Sequence, residues 1–136
     1  MKELKRRVSH LTNPDYPTMS RSKMTEEMTV MITPNSDDIT QIRLDMLDFE
    51  MDGGKEDMPC KDHYVELILP DGNVNIGKLC GNNEGQHLYI HLPDPLPTTG
   101  MTQRTRESVM VKLHFKGGMK KYKYNIKVQQ VNLKLL

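Results

Sequence analysis

No stretch of the chain approaches the roughly 18 to 20 consecutive apolar residues that a membrane-spanning helix requires. Its longest oily run, Val65 to Leu69, is interrupted by Glu66, and membrane insertion is not expected. A large excess of one charge is missing as well: 19 Lys and Arg stand against 18 Asp and Glu, a net charge of +1. That balance gives no global electrostatic reason for DNA, RNA or anionic lipid to be the partner, and any basic footprint must be local. Catalytic signatures are equally scarce. There is no GxSxG, no HExxH and no cysteine beside a histidine with an orienting group, so catalysis is not expected. The 2 cysteines, Cys60 and Cys80, sit in neither a CxxC nor a Cys/His metal spacing. They are either a pair or two buried thiols; pairing would close a loop of about twenty residues and contribute about 3 kcal/mol. The N-terminal MKELKRR carries charge with no apolar run behind it and is not a secretory leader, so a place outside the cell requires a leader removed from this sequence. No N-x-[ST] sequon is present to mark a glycosylated face.

Apolar recurrence at i, i+3, i+4, i+7 is also missing, and alternation of period two takes its place. Ile39, Gln41 and Arg43 interleave with Thr40, Ile42, Leu44 and Met46 in a half-buried strand ending near Leu47 to Phe49. Tyr64 to Leu69 forms a second strand, closed by the turn Pro70-Asp71-Gly72-Asn73, and Ile76 to Cys80 a third, broken by Gly81 to Gly85. In His87 to Leu92, Leu88, Ile90 and Leu92 point one way and His87, Tyr89 and His91 the other. Val109, Val111, Leu113 and Phe115 make one side of the next strand. Gly117 and Gly118 then separate it from Tyr122, Tyr124, Ile126 and Val128, which suggests an antiparallel hairpin. The segment Leu92 to Glu107, with three prolines, Arg104 and Arg106, is expected to be a long exposed connection. At 136 residues, 36% hydrophobic and with a mean hydropathy of −0.63, the chain suits one thin, two-layer antiparallel β-sandwich. The expected boundaries are a frayed arm over 1–8, a domain over 9–133 and a tail over 134–136.

Three constellations have a chemical reading beside a bland one. His87 and His91 flank Tyr89 on one strand face, and with His63 or His114 nearby they could hold zinc; histidines on the wet face of a strand are more often merely solvated. Lys120-Lys121-Tyr122-Lys123-Tyr124-Asn125-Ile126-Lys127 has the basic and aromatic interleaving that suits an anionic glycan or single-stranded nucleic acid. Its simpler reading is an amphipathic strand with tyrosines inward and lysines in water. The carboxylates Asp45, Asp48, Glu50 and Asp52 read first as the solvated side and end of one strand, and only remotely as an acid/base pair.

Taken in order, the segment from about Ser9 to Leu133 resembles a CUB domain, and more closely the CUB domains of small secreted arthropod proteins. Asn13-Pro14-Asp15-Tyr16-Pro17 looks like the family's SPNYP element, and Met28-Thr29-Val30-Met31-Ile32 takes the place of its C-x-[WY]-x-I strand. Ile39 to Asp45 is similar to ICQLRLD, Cys60 to Leu67 to CxYDxVEI, and Leu79-Cys80-Gly81 to LCG. Asn82 to Tyr89 and Asn125 to Val131 match NTGQHMY and W-x-IKVxQI. The resemblance implies a CUB-like jelly roll outside the cell with a Cys60–Cys80 disulfide. It departs from the family at Met28, Thr40 and Leu133, which stand where further half-cystines would be expected. Many CUB domains bind calcium through a Glu and two Asp residues, whose places are taken here by Glu50, His63 and Gly118. Calcium wants six to eight hard oxygen ligands, so neither calcium nor another cofactor is expected.

The function this implies is a non-catalytic extracellular module that binds another protein through loops at one end of the sandwich, with Glu50, Asp62, His63, Asn82, Asn83 and Glu84 as the contact region. The alternatives are an anionic glycan held by Arg104, Arg106, Lys120, Lys121, Lys123 and Lys127, or a non-catalytic fragment of a larger secreted protease. Nucleic acid is not an expected partner.

Overall fold

The computed structural model describes residues 2–69, 77–92 and 108–132, and the described residues are all strand and loop, with no helix among them. Eleven strands follow in chain order: β1 (Lys2–Leu4), β2 (Val8–Thr12), β3 (Glu26–Ile32), β4 (Gln41–Glu50), β5 (Gly54–Lys55), β6 (Met58–Pro59), β7 (His63–Ile68), β8 (Lys78–Leu79), β9 (His87–His91), β10 (Val109–Phe115) and β11 (Lys123–Val131). They build a five-stranded sheet in the order β1-β3-β10-β7-β8, a four-stranded sheet in the order β2-β11-β4-β9, and the small β5-β6 ribbon. The two large sheets pack as the expected all-β sandwich.

Period-two burial explains the layers. Val109, Val111, Leu113 and Phe115 of β10 are buried, with Val30 and Ile32 of β3 and Val65 and Leu67 of β7 beside them. Ile42, Leu44, Met46 and Phe49 of β4 and Tyr124, Ile126 and Val128 of β11 supply the opposing face. In β4 the alternation slips after Met46, because Asp48 pairs with Asn125 while Met46 pairs with Ile126. Leu47 is the extra residue of a β-bulge, left exposed so that Phe49 can return to the core.

The expected hairpin between the last two runs is not formed. β10 lies between β3 and β7 in one sheet, and β11 lies between β2 and β4 in the other. Each strand has a buried apolar face, and such faces find shelter by opposing each other across the sandwich rather than by lying side by side. The stretch 116–122 therefore crosses between sheets, and the ring of Phe115 stacks on that of Tyr122 at 3.7 Å between centroids. Gly117 permits the crossing, since a Cβ there would come within 2.7 Å of the Met24 backbone.

Residues 2–4, expected in a frayed arm, instead run parallel to β3. Leu4 is buried, and its carbonyl accepts from the Thr33 amide, which ties the start of the chain down. The described part of the third expected strand is only Lys78–Leu79. The turn at Pro70 to Asn73, Ile76, the connection over 93–107 with Arg104 and Arg106, and the tail from 133 lie outside the described residues.

Candidate functional site

Four backbone segments meet at one end of the sandwich. The end of β4 runs into Met51–Gly54, whose Met51 amide donates to the Gly81 carbonyl at 3.1 Å. Glu50 forms an isolated antiparallel bridge with Asn82, and the Asn83 amide donates to Phe49. Cys60 and Cys80 form the disulfide that the resemblance implied, and the Cys60 amide donates to the Gly53 carbonyl. The fourth segment is the β10–β11 crossover, whose Lys116 amide donates to the Asp62 carbonyl at 3.0 Å. Strand ends here are thus fixed to one another by main-chain bonds and one covalent link.

Two clefts open on this end. One, of about 240 Å³, is lined by Asp62, His63 and Lys116–Lys120; the other, of about 350 Å³, by Asp52, Gly54, Lys55, Met58, Lys61, Asp62 and Lys120. Between them the Lys120 ammonium donates to Asp62 Oδ2 at 2.7 Å and to Asp52 Oδ2 at 3.1 Å. The hydrogen bond from Lys120 holds the Asp62 carboxyl below the usual aspartate range, and the same pair raises Lys120.

Most of the contact residues expected from the sequence do gather here. Glu50, Asn82 and Glu84 are exposed, while Asn83 is half-buried because its Nδ2 donates to the Cys80 carbonyl at 2.8 Å. The Glu84 amide donates to Asn82 Oδ1, which shapes the loop. His63 is a correction: although it backs the first cleft, it has 0% exposure and offers no surface to a partner. It continues the inward face of Val65 and Leu67, its ring edge-on to Phe115 and Tyr122 at 5.5 and 5.4 Å. Its Nδ1 accepts from the Lys116 amide and its Nε2 donates to the Lys120 carbonyl, each at 3.2 Å. Those partners fix the neutral Nε2–H tautomer and make His63 an internal strut of the crossover.

The basic set is dispersed. Lys120 belongs to the loop end and is engaged by two carboxylates; Lys121 is exposed beside it; Lys123 and Lys127 stand half-buried on the outer face of β11. Lys123 lies 3.9 Å from Asp48, whose carboxylate also accepts from the Tyr16 hydroxyl. Asp45 is bound by the Arg43 guanidinium at 2.9 Å. Asp45 and Asp48 of β4 are therefore ion-paired rather than simply hydrated, while Glu50 at its end is exposed. The histidines considered for zinc do not meet: His63 points inward, His114 stacks on Tyr64 and pairs with Glu27, and His87 and His91 belong to the other sheet. Among the described residues no group of three or more His, Cys, Asp or Glu could hold a metal ion.

Sequence reasoning missed Lys120 as the shared partner of Asp52 and Asp62. The residues lie 68 and 58 positions apart from Lys120, and no local pattern links them.

No protein-family description matches the chain, nor does any curated protein sequence. Solved structures do. The chain is similar to part of the full extracellular region of zebrafish Gpr126/Adgrg6, with a TM-score of 0.69 and 17% identity over 96% of this chain and 14% of that one. It is similar to the CUB1-EGF-CUB2 domains of rat MASP-1, with a TM-score of 0.63 and 14% identity over 94% of this chain and 39% of that one. It also matches the MASP-1 CUB2 domain bound to Ca2+, with a TM-score of 0.59 and 16% identity over 94% of this chain and 96% of that one. The fold is therefore CUB-like. The chain spans well under half of the first two proteins it matches.

Proposed function

We propose that this chain is a non-catalytic extracellular module, of the kind found in small secreted arthropod proteins, that binds another protein through the loop end of its sandwich. The observation that carries this is the convergence of Glu50–Gly54, Cys60–Asp62, Gly81–Glu84 and Lys116–Lys120 on one end, held by main-chain bonds and a disulfide. Rigid presentation of exposed Glu50, Lys61, Asn82 and Glu84 lowers the entropy lost when a partner docks. The disulfide supports a location outside the cell, where such bonds persist. The structural neighbours, an extracellular region and CUB domains, support it too. Both cysteines are consumed in the disulfide and Asp45, Asp48 and Asp52 are ion-paired, which supports a binding rather than a catalytic role.

Affinity capture from extracellular fluid tests the proposal. The unaltered protein should retain a protein partner that is lost in an Asn82→Arg, Glu84→Arg double variant and kept in a Lys121→Glu, Lys127→Glu variant. Retention on heparin that collapses with modest salt and is abolished only by the lysine variant would replace it with the glycan reading, since counterion release makes such binding steeply salt-dependent. Capture of a cytosolic partner with both thiols free would overturn location and role together.

A further inference from the structure

The positions that the family uses for calcium do not fit the ion in this chain. His63 is fully buried with both ring nitrogens committed to the crossover backbone, and Gly118 has no side chain. Glu50 alone, even if bidentate, leaves at least about four oxygen ligands of a typical calcium shell unsupplied. A positive charge is nevertheless placed at this end. Lys120 Nζ lies between Asp52 of the segment after β4 and Asp62 at the head of β7, and Lys116 Nζ approaches Asp62 at 3.7 Å.

We propose that the Lys120 ammonium is a tethered cation that joins these three segments and balances their carboxylates, so that the loop end is assembled without calcium. The two carboxylates face two ammonium groups, and Lys55 and Lys61 line the adjoining cleft, so a divalent cation entering here would meet a local field already neutral to positive. The tether is itself fixed. His63 Nε2 holds the Lys120 carbonyl, and the Lys116 amide, shared between His63 Nδ1 and the Asp62 carbonyl, anchors the other side of the crossover. A lysine so positioned gives up less side-chain entropy on making its pair than a free one. The lowered Asp62 and raised Lys120 agree with a mutual pair. The device holds whichever molecule the loops meet, so its failure is separable from failure of the proposed binding role.

The test is thermal unfolding and calorimetric titration of the unaltered protein in millimolar calcium chloride and in EDTA, with the Asp62 carboxyl followed by NMR in parallel. The two melting temperatures should coincide, no saturating calcium heat should appear, and Asp62 should titrate below its ordinary range. Lys120→Met should return Asp62 upward while Lys120→Arg preserves its titration, a pattern that a merely packed lysine would not produce. A melting temperature that rises by several degrees in calcium and loses that rise in Asp62→Asn would overturn the proposal. So would an Asp62 titration indifferent to Lys120→Met. Because the calcium comparison uses the unaltered chain, it decides the matter even if a variant fails to fold.

Discussion

Replacing His63 separates the two ways in which it supports the loop end. The imidazole is fully buried and packs edge-on against Phe115 and Tyr122, so His63→Ala removes a ring from a closed core. Buried aromatic truncations cost about 3 to 5 kcal/mol, and the same range is expected here. His63→Phe keeps the ring and its edge contacts but loses the Nε2–H bond to the Lys120 carbonyl and the Nδ1 share of the Lys116 amide. The amide retains the Asp62 carbonyl, so a little more than one hydrogen bond is lost. That predicts about 1 to 2 kcal/mol for His63→Phe, because the freed carbonyl lies near solvent. Urea unfolding with a shared m-value measures both variants. Amide exchange should quicken at residues 116–120 in His63→Phe, since the strut that fixes them is gone. A His63→Phe protein as stable as the unaltered one, with unchanged exchange over 116–120, would refute the assignment of a hydrogen-bonding strut.

Three further outcomes follow from the same contacts. Replacing both Cys60 and Cys80 by Ala opens a loop with a sequence separation of 20 and should cost about 3 kcal/mol in chemical denaturation; a cost below about 1 kcal/mol would show that the main-chain bonds alone hold this end. Asn13 is buried, with Nδ2 donating to the Thr18 carbonyl and Ser20 Oγ and Oδ1 accepting from the Tyr124 amide, so Asn13→Ala should lose about 2 to 4 kcal/mol, read as an earlier urea midpoint. The pH profile should have two shoulders. Asp62 is depressed in the fold, so its contribution is present above the ordinary 3.8 and is lost as pH falls through the lower folded value. Lys120, Tyr122 and Tyr124 are raised, so theirs is full below the ordinary 10.0 to 10.5 and is lost as pH climbs toward their folded values. Melting temperatures measured across pH check this, and Asp62→Asn should erase the part of the acid shoulder that Asp62 supplies.

Alternation made the layers legible, because it reports which face of a strand is buried. Val109 to Phe115 and Tyr122 to Val128 show their inward sides in the sequence. It does not report which neighbour a strand takes, and so the glycine pair after Phe115 suggested a hairpin where the chain in fact changes sheets. The same alternation carried back from Leu67 and Val65 would have put His63 inward; its place beside Asp62 in a family calcium position masked that signal. β1 was illegible because three residues with two charges carry no period, and its order comes from Leu4 and from pairing with β3. At the loop end, exposure of Glu50, Asn82 and Glu84 was readable from their setting after strands and within a Gly81 to Gly85 break. The Asp52–Lys120–Asp62 link was not, since it exists only once three distant segments have been brought together.

The most direct measurement of the central claim is site-specific photo-crosslinking in extracellular fluid. A photoreactive residue is placed at Glu84 on the loop end, or at Gln129 on the outer face of β11 as the comparison. Crosslinks to one protein from position 84, with none from position 129, are predicted, and they should persist in EDTA. Crosslinks formed from position 129 while position 84 stays silent would contradict the account.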